Sequence, residues 1–319
     1  MGSLNRSTLS ILSVLGACFC FSAGDAAVKL LSGDYPLYQI VLIRSSIGLF
    51  ICLTFFVPLE GGFKALKTRR PLAHISRGLC VVVCNTCFFA GVIVLPIAEA
   101  TAIFFVAPLL ITLMTNIILG EKVGLQRWGA LFFGLLGVFL IVRPMGITFR
   151  WESLFPLMGA CAYATLHTIT RNMGLSEKAS TMSVYIHLTF LTVYSVFGIT
   201  FGDGNHNIID HPSANFLFRG MSYLDKKDIP LFIWVGLTSA FGGYLIGQAY
   251  RSSSAGLVAP FEYTTVVLSV FWGLILWGEY LTLFSFLGIF IIIISGIFVA
   301  KREKIKHISP TAKRISGRR

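Results

Sequence analysis

Charge is scarce in this sequence. Only 13% of its 319 residues are Asp, Glu, Lys or Arg, about half the share of a soluble globular domain. With 14 acids in the whole chain, no charged shell can surround an apolar core, which excludes a water-soluble fold. Polar segments are few: 202–228 and the stretch after 301 are the sizeable ones. No GxxxxGK phosphate loop occurs, which excludes a P-loop nucleotide hydrolase as the energy source. The seven cysteines all fall inside apolar stretches, so no disulfide staples a polar loop. Cys84 and Cys87 read C-x-x-C without a second pair or a histidine at ligand spacing, and are expected to pack rather than hold a metal. In 202–228, Asp203, Asn205 and Asn207 alternate like a calcium loop. Position six is Ile208 where glycine is required, and position twelve is Ala214 where a glutamate is required, so an EF-hand is excluded.

What is present instead is apolar length. Hydrophobic residues make up 55% of the chain, and the mean hydropathy is +0.79. Ten stretches approach the ~20 residues that cross a ~30 Å hydrocarbon core. They are 9–31, 36–57, 72–94, 97–119, 125–142, 153–173, 180–201, 229–250, 255–277 and 281–300. The first has the outline of a secretory leader. Its Gly16-Ala17-Cys18 returns as Gly159-Ala160-Cys161, so it is expected to stay as a first helix. Pro36, Pro71, Pro96 and Pro230 stand near helix starts, where a missing N–H is harmless.

The recurrence runs further. At an offset of 158, Gly120-Glu121 meets Gly278-Glu279 and Gly78-Leu79 meets Gly236-Leu237, while the first helices match at 143. Two halves follow, 1–145 and 152–301, with 302–319 as a basic tail. Five spans per half is an odd number, so the halves enter the membrane from opposite sides. The expected fold is an all-α membrane protein of ten transmembrane helices in two inverted five-helix repeats. Such folds hold their substrate near the midplane between the halves. With the N-terminus cytoplasmic, eighteen of the 26 basic residues lie in inside segments and six in outside ones, which places both termini in the cytoplasm. The same distribution accounts for the net charge of +12 without a nucleic-acid partner. The tail is expected on anionic headgroups, and 202–228 as a solvated, mobile cap.

One stretch organises the rest. In AGLVAPFEYTTVVLSVFWGLILWGE (255–279), Glu262 lies about 10 Å deep at ~1.5 Å rise per residue. An acid there costs about 2.5–3.5 kcal/mol on insertion scales, so it must face a bundle interior or a wet cavity. Pro260 removes a backbone donor just before it. Thr265 and Ser269 share its face at i+3 and i+7. In the functional reading Glu262 binds a cation or accepts a proton; in the structural one it is hydrogen-bonded to a neighbouring helix. The candidate substrate-binding set is Glu262, Gln248, Asn85, Tyr163, His167, Phe105, Tyr263 and Thr265. The amides would hydrogen-bond a polar substrate, the rings would stack on a flat one, and the histidine would relay protons. Each also has a plain role in interhelical packing. Arg44 is too deep for an end anchor, with Asp25 and Glu99 as alternative partners; Asp25 also stands four residues before Lys29. Gly129, Gly134 and Gly137 form a close-packing face.

Three stretches carry a resemblance: RRPLAHISRGL (69–79), AEATAIFFVAPLLITLMTNIILGEKVGLQRWGALFFGLLGVFLIVRP (98–144) and GLVAPFEYTTVVLSVFWGLILWGE (256–279). With the G-E pair after the fourth and ninth spans, they resemble the EamA family of the drug/metabolite transporter superfamily over nearly all of 9–301. The first stretch is similar to S-adenosylmethionine uptake carriers and the second to riboflavin carriers of that superfamily. The resemblance implies a ten-helix carrier of the bacterial inner membrane without bound cofactor or metal. Its partners would be a small-molecule substrate, the lipid bilayer and, if Glu262 couples, a proton; the chain would be a monomer or a homodimer. The expected function is secondary transport of a small polar organic metabolite, S-adenosylmethionine-, amino-acid- or riboflavin-like, by alternating access at a midplane cavity. The competing reading is a membrane-embedded enzyme using Glu262 and a histidine as acid and base.

Overall fold

The computed structural model describes residues 6–94, 100, 103–142, 151–203, 211–278 and 283–308. Among these the chain is helical with no strand. Helix α1 is Arg6–Leu31, α2 Leu37–Leu59, α3 Pro71–Val94, α4 Ala107–Leu119, α5 Leu125–Val142 and α6 Leu154–Met173. Helix α7 is Ala179–Phe201, α8 Pro212–Phe218, α9 Ile229–Ser252, α10 Ala255–Glu262, α11 Thr264–Trp277 and α12 Leu283–Ile308.

Among the described residues, six spans are long and apolar enough to cross a membrane: α1, α2, α3, α7, α9, and α10 with α11 taken together. The chain is thus a multi-pass membrane protein, but six of the ten expected spans meet the criterion by themselves. Helix α4 has 13 residues because a turn at Phe105 and Val106 precedes it. Helix α6 dilutes its apolar composition with Thr165, His167, Thr168 and Thr170. The described apolar stretches of α5 and α12, Trp128–Gly137 and Phe286–Ser295, are shorter too.

The bundle is apolar outside and polar within. Phe50, Phe55, Phe132, Phe133, Val196, Ile199 and Phe290 are exposed, while Arg44, His74, Arg77, His167, Glu177, His187 and Glu262 are buried. A hydrocarbon solvent dictates this arrangement, because lipid solvates apolar groups and leaves polar ones to satisfy each other. Helix α1 packs on α9 and α3 on α6; α2 packs on α9 and α3 on α7; α11 packs on α1 and α4 on α6; α5 pairs with α12 and α2 with α7. Glycine permits the tight crossings. A Cβ at Gly78 would collide with Thr189 of α7, and one at Gly236 with Ile47 of α2. The Gly134–Gly137 face of α5 packs inside the chain, against Tyr263 and against Gly288 and Ile292 of α12. Gly120 and Gly278 end α4 and α11 in the same left-handed conformation, φ +65° in both, which glycine adopts without the Cβ penalty. In α2, Pro58 cannot donate to the carbonyl four residues back, and the helix widens into a π-turn over Cys52–Phe56.

Charged side chains tie the helix ends together on one side. The Glu60 carboxylate accepts from the Ser180 amide (3.0 Å) and hydroxyl (2.7 Å) and from Tyr244 (3.0 Å), and faces Arg251 at 3.8 Å. Glu177 accepts from Thr68 at 2.8 Å and meets His74 at 3.3 Å. Arg171 pairs with Glu121.

On the other side, residues 211–228 are docked, which corrects the expectation of a mobile cap; 204–210 lie outside the described residues. The Ser213 hydroxyl donates to the Ala90 carbonyl at 2.7 Å, seating α8 on α3. Gln39 and the Ser222 backbone exchange two hydrogen bonds, and Tyr35 donates to Asp228 at 2.8 Å. Arg219 donates to the carbonyls of Ser32, Gly33 and Tyr35 at 3.0, 2.8 and 2.9 Å. These carbonyls follow the last turn of α1 and lack helical partners, which a cation supplies. Arg219→Ala is expected to cost about 2 kcal/mol, the worth of charge-assisted bonds at a half-buried site. Thermal unfolding in detergent measures it, and an unchanged midpoint would mean the segment is not anchored there.

Candidate functional site

The ninth apolar stretch is two helices. Pro260 in α10 cannot donate to the Gly256 carbonyl, and the helix turns at Tyr263 (φ −59°, ψ −17°) before restarting as α11. The fourth stretch breaks at the corresponding place. Phe105 and Val106 form a turn, Val106 has φ −69° and ψ −17°, and Pro108 follows in the first turn of α4. The Phe105 and Tyr263 rings lie 6.0 Å apart between the two breaks.

Glu262 ends α10 and is 6% exposed. The Tyr250 hydroxyl donates to its Oε1, and the Tyr163 side chain stands beside the same carboxylate. No ion pair forms on Glu262 among the described residues. The Cys18 thiol of α1 closes the backbone side, 3.7 Å from the Phe261 carbonyl and 3.9 Å from that of Glu262. His167 lies between the two tyrosines, its ring centroid 4.3 Å from Tyr163 and 4.2 Å from Tyr250. Both ring nitrogens of His167 are buried and without a hydrogen-bond partner. Phe104 packs on Tyr163 at 5.5 Å and on Phe88 at 4.9 Å. The result is a carboxylate held by the Tyr250 phenol, walled by aromatic rings and without an ion pair among the described residues.

The structure brings Glu262, Tyr163 and His167 together. Asn85 is half-buried on α3, and its Oδ1 lacks a partner. Gln248 is engaged elsewhere, accepting from Arg251 Nε at 2.7 Å. Phe105 and Tyr263 belong to a separate apolar cluster with Leu131, Ala259, Val266 and Ile292; Phe104 is the ring that reaches Tyr163. Thr265 lies beside Cys18, with its carbonyl accepting from Ser269 at 2.9 Å. Because the turn at Tyr263 intervenes, the i, i+3 spacing does not make Thr265 and Glu262 one uninterrupted stripe.

Tyr250 is absent from the sequence-based set. It and Glu262 are 12 residues apart across the turn between α9 and α10, which brings two antiparallel helices into contact. A second charged pair also emerges. Asp25 stands seven residues after Cys18 on the same face of α1, keeps exposed surface, and attracts Arg44 electrostatically. Glu99, the alternative partner of Arg44, lies outside the described residues, as does Thr101.

Comparison with known proteins agrees with this architecture. A solved crystal structure matches with a TM-score of 0.74 over 94% of this chain and 99% of that one, at 16% identity, a likeness of fold alone. An uncharacterized transporter of Helicobacter pylori is 27% identical over 313 residues, covering 95% of this chain and 98% of that protein. A riboflavin transporter of Rhizobium johnstonii is 25% identical over 249 residues, 78% of this chain and 76% of that protein. An S-adenosylmethionine uptake transporter of Rickettsia bellii is 25% identical over 283 residues, 89% of this chain and 90% of that protein. Residues 8–143 match the model of the EamA-like transporter family, and the relatives named as transporters align over most of the chain.

Proposed function

We propose that the chain is a secondary carrier of a small polar organic metabolite, S-adenosylmethionine-, amino-acid- or riboflavin-like, working by alternating access. The observation that carries this reading is the buried Glu262 carboxylate, held by Tyr250 at a helix break and, among the described residues, in no ion pair. Such a group binds a cationic part of the substrate or carries a coupling proton. The break itself supports it, because interrupted helices free backbone groups near the midplane for a ligand. Two inverted five-helix repeats are supported by the exchange of partners between halves: α1 on α9 answers α6 on α3, and Gly78 against α7 answers Gly236 against α2. The paired breaks and the paired left-handed caps fit the same relation. Asn85, His167, Tyr163 and Thr265 complete the proposed site with Tyr250; Gln248 would join it only by leaving Arg251. An enzyme reading has no comparable support, since the relatives are named transporters.

The proposed setting is the cell inner membrane with both termini cytoplasmic. A reporter active only in the cytoplasm is expected to work when fused after Gly61 or Lys304 and to fail within 211–220. Activity from that last segment would overturn the inverted repeat. Transport itself is tested in liposomes holding the purified protein. A carrier moves labelled substrate across unchanged, whereas recovery of a new molecule would favour the enzyme.

A further inference from the structure

We propose that Arg44 is the docking group for a carboxylate of the transported molecule, so that the cargo is a zwitterionic or anionic carboxylate rather than a neutral compound. The inference rests on the carrier reading above and narrows its substrate class. Arg44 lies in α2 about 10 Å from the Leu37 end at ~1.5 Å per residue. It is 8% exposed, and its Nε is buried without a hydrogen-bond partner. Among the described residues it makes no hydrogen bond and no ion pair. Its contact is with a ring, the guanidinium carbon standing 5.1 Å from the Phe190 centroid.

A guanidinium carries five donors in a planar fork, and a buried one is ordinarily paired with a carboxylate. Leaving the fork open inside a membrane protein is costly unless something else fills it. The groups that face it have been placed by three helices. Helix α7 supplies His187, Phe190 and Tyr194, α3 supplies Cys84, and α1 supplies Asp25. The Tyr194 hydroxyl is engaged with Thr86 at 2.8 Å. His187 is wedged against Gly48 of α2, with its Nδ1 unpartnered. Asp25 is the carboxylic acid among these groups. It acts on Arg44 through space without closing into an ion pair, and it remains exposed. The arrangement is a guanidinium over the Phe190 ring, with an acid that acts on its charge without occupying its donors. A monoanion fits this field better than a phosphate dianion, because one cation partly offset by Asp25 leaves less than one positive charge.

The test uses the full-length protein in lipid nanodiscs, with thermal stabilisation and liposome flux as readouts. The probes are S-adenosylmethionine, its decarboxylated form, the L-amino acids with their primary amides, and riboflavin. Wild-type protein is expected to be stabilised by a carboxylate probe and at least tenfold more weakly by the matching amide or decarboxylated form. Arg44→Gln should abolish that difference, bringing the carboxylate probe down to the amide's level. Asp25→Asn, which removes the competing acid, should tighten carboxylate binding several-fold. If Arg44→Gln does not fold, the wild-type acid-against-amide comparison and Asp25→Asn still decide. Equal binding of acid and amide, stronger binding of a phosphate monoester, or weakened carboxylate binding in Asp25→Asn would overturn the assignment. Riboflavin flux unchanged in Arg44→Gln would overturn it too, while leaving the carrier reading intact. Absence of flux for every probe would remove the carrier reading and this inference with it.

Discussion

Glu262→Gln is expected to abolish net uphill transport while leaving folded yield near that of the wild type. Glutamine preserves shape and keeps an acceptor for Tyr250, so the local packing of α10 against α9 should survive. What disappears is the charge. Truncating one member of a buried charged contact costs about 2–5 kcal/mol, or on the order of 30- to 4,000-fold. The distribution of that loss separates the roles. If the acid carries a proton, uphill transport fails and substrate exchange at equal concentrations persists. If it binds a cationic group, exchange fails as well, and ligand no longer stabilises the protein. If the acid only packs, yield falls and the folded fraction transports normally. Normal yield, exchange and uphill transport together would exclude both functional roles and shift the site to Asn85 and His167. Tyr250→Phe is the companion variant. It removes one donor to the carboxylate and should weaken transport by a smaller factor than Glu262→Gln, measured in the same flux assay.

The largest stability effect is expected at the opposite kind of acid, one that is fully partnered. Glu60→Ala withdraws the acceptor for the Ser180 amide and hydroxyl and for Tyr244, and leaves Arg251 facing only backbone and Gln248 on that side. The Glu60 side chain is 14% exposed, so water replaces these bonds only in part. A loss of about 3–5 kcal/mol follows, within the range for breaking a buried ionic network by removing one partner. Unfolding midpoints in detergent measure it. A double-mutant cycle with Arg251→Ala should show strong coupling, since both changes disrupt one network. A cost below about 1 kcal/mol would place the node among surface ion pairs, which contribute little.

Several elements were legible before any coordinates. Glu262 was legible because an acid deep in an apolar stretch has few tolerable environments, all of them interior. Gly120 and Gly278 were legible because a Gly-Glu pair closes two of the apolar stretches, a helix end where left-handed φ favours glycine. His167 and Tyr163 were legible as polar groups four residues apart on one helix face. Other features were not. Phe105 and Phe104 are neighbours in sequence and point to different clusters, and helical spacing cannot say which one meets Tyr163. Gln248 reads as a free amide until Arg251 is seen to occupy it. The docking of 211–228 depends on Arg219 finding the end of α1, a contact between segments more than 180 residues apart.

The chain by itself determined its solvent, its helical character and the location of its costly groups. Those follow from composition and from periods of a few residues, and hydrocarbon enforces them on any arrangement of the helices. The tertiary structure alone decided which polar groups meet. It set Tyr250 and Tyr163 on Glu262, Asp25 near Arg44, and Ser180 on Glu60. Each of these contacts joins helices whose relative rotation depends on the whole set of glycine crossings, and a rotation of one helix by a single residue's ~100° would exchange one partner for another.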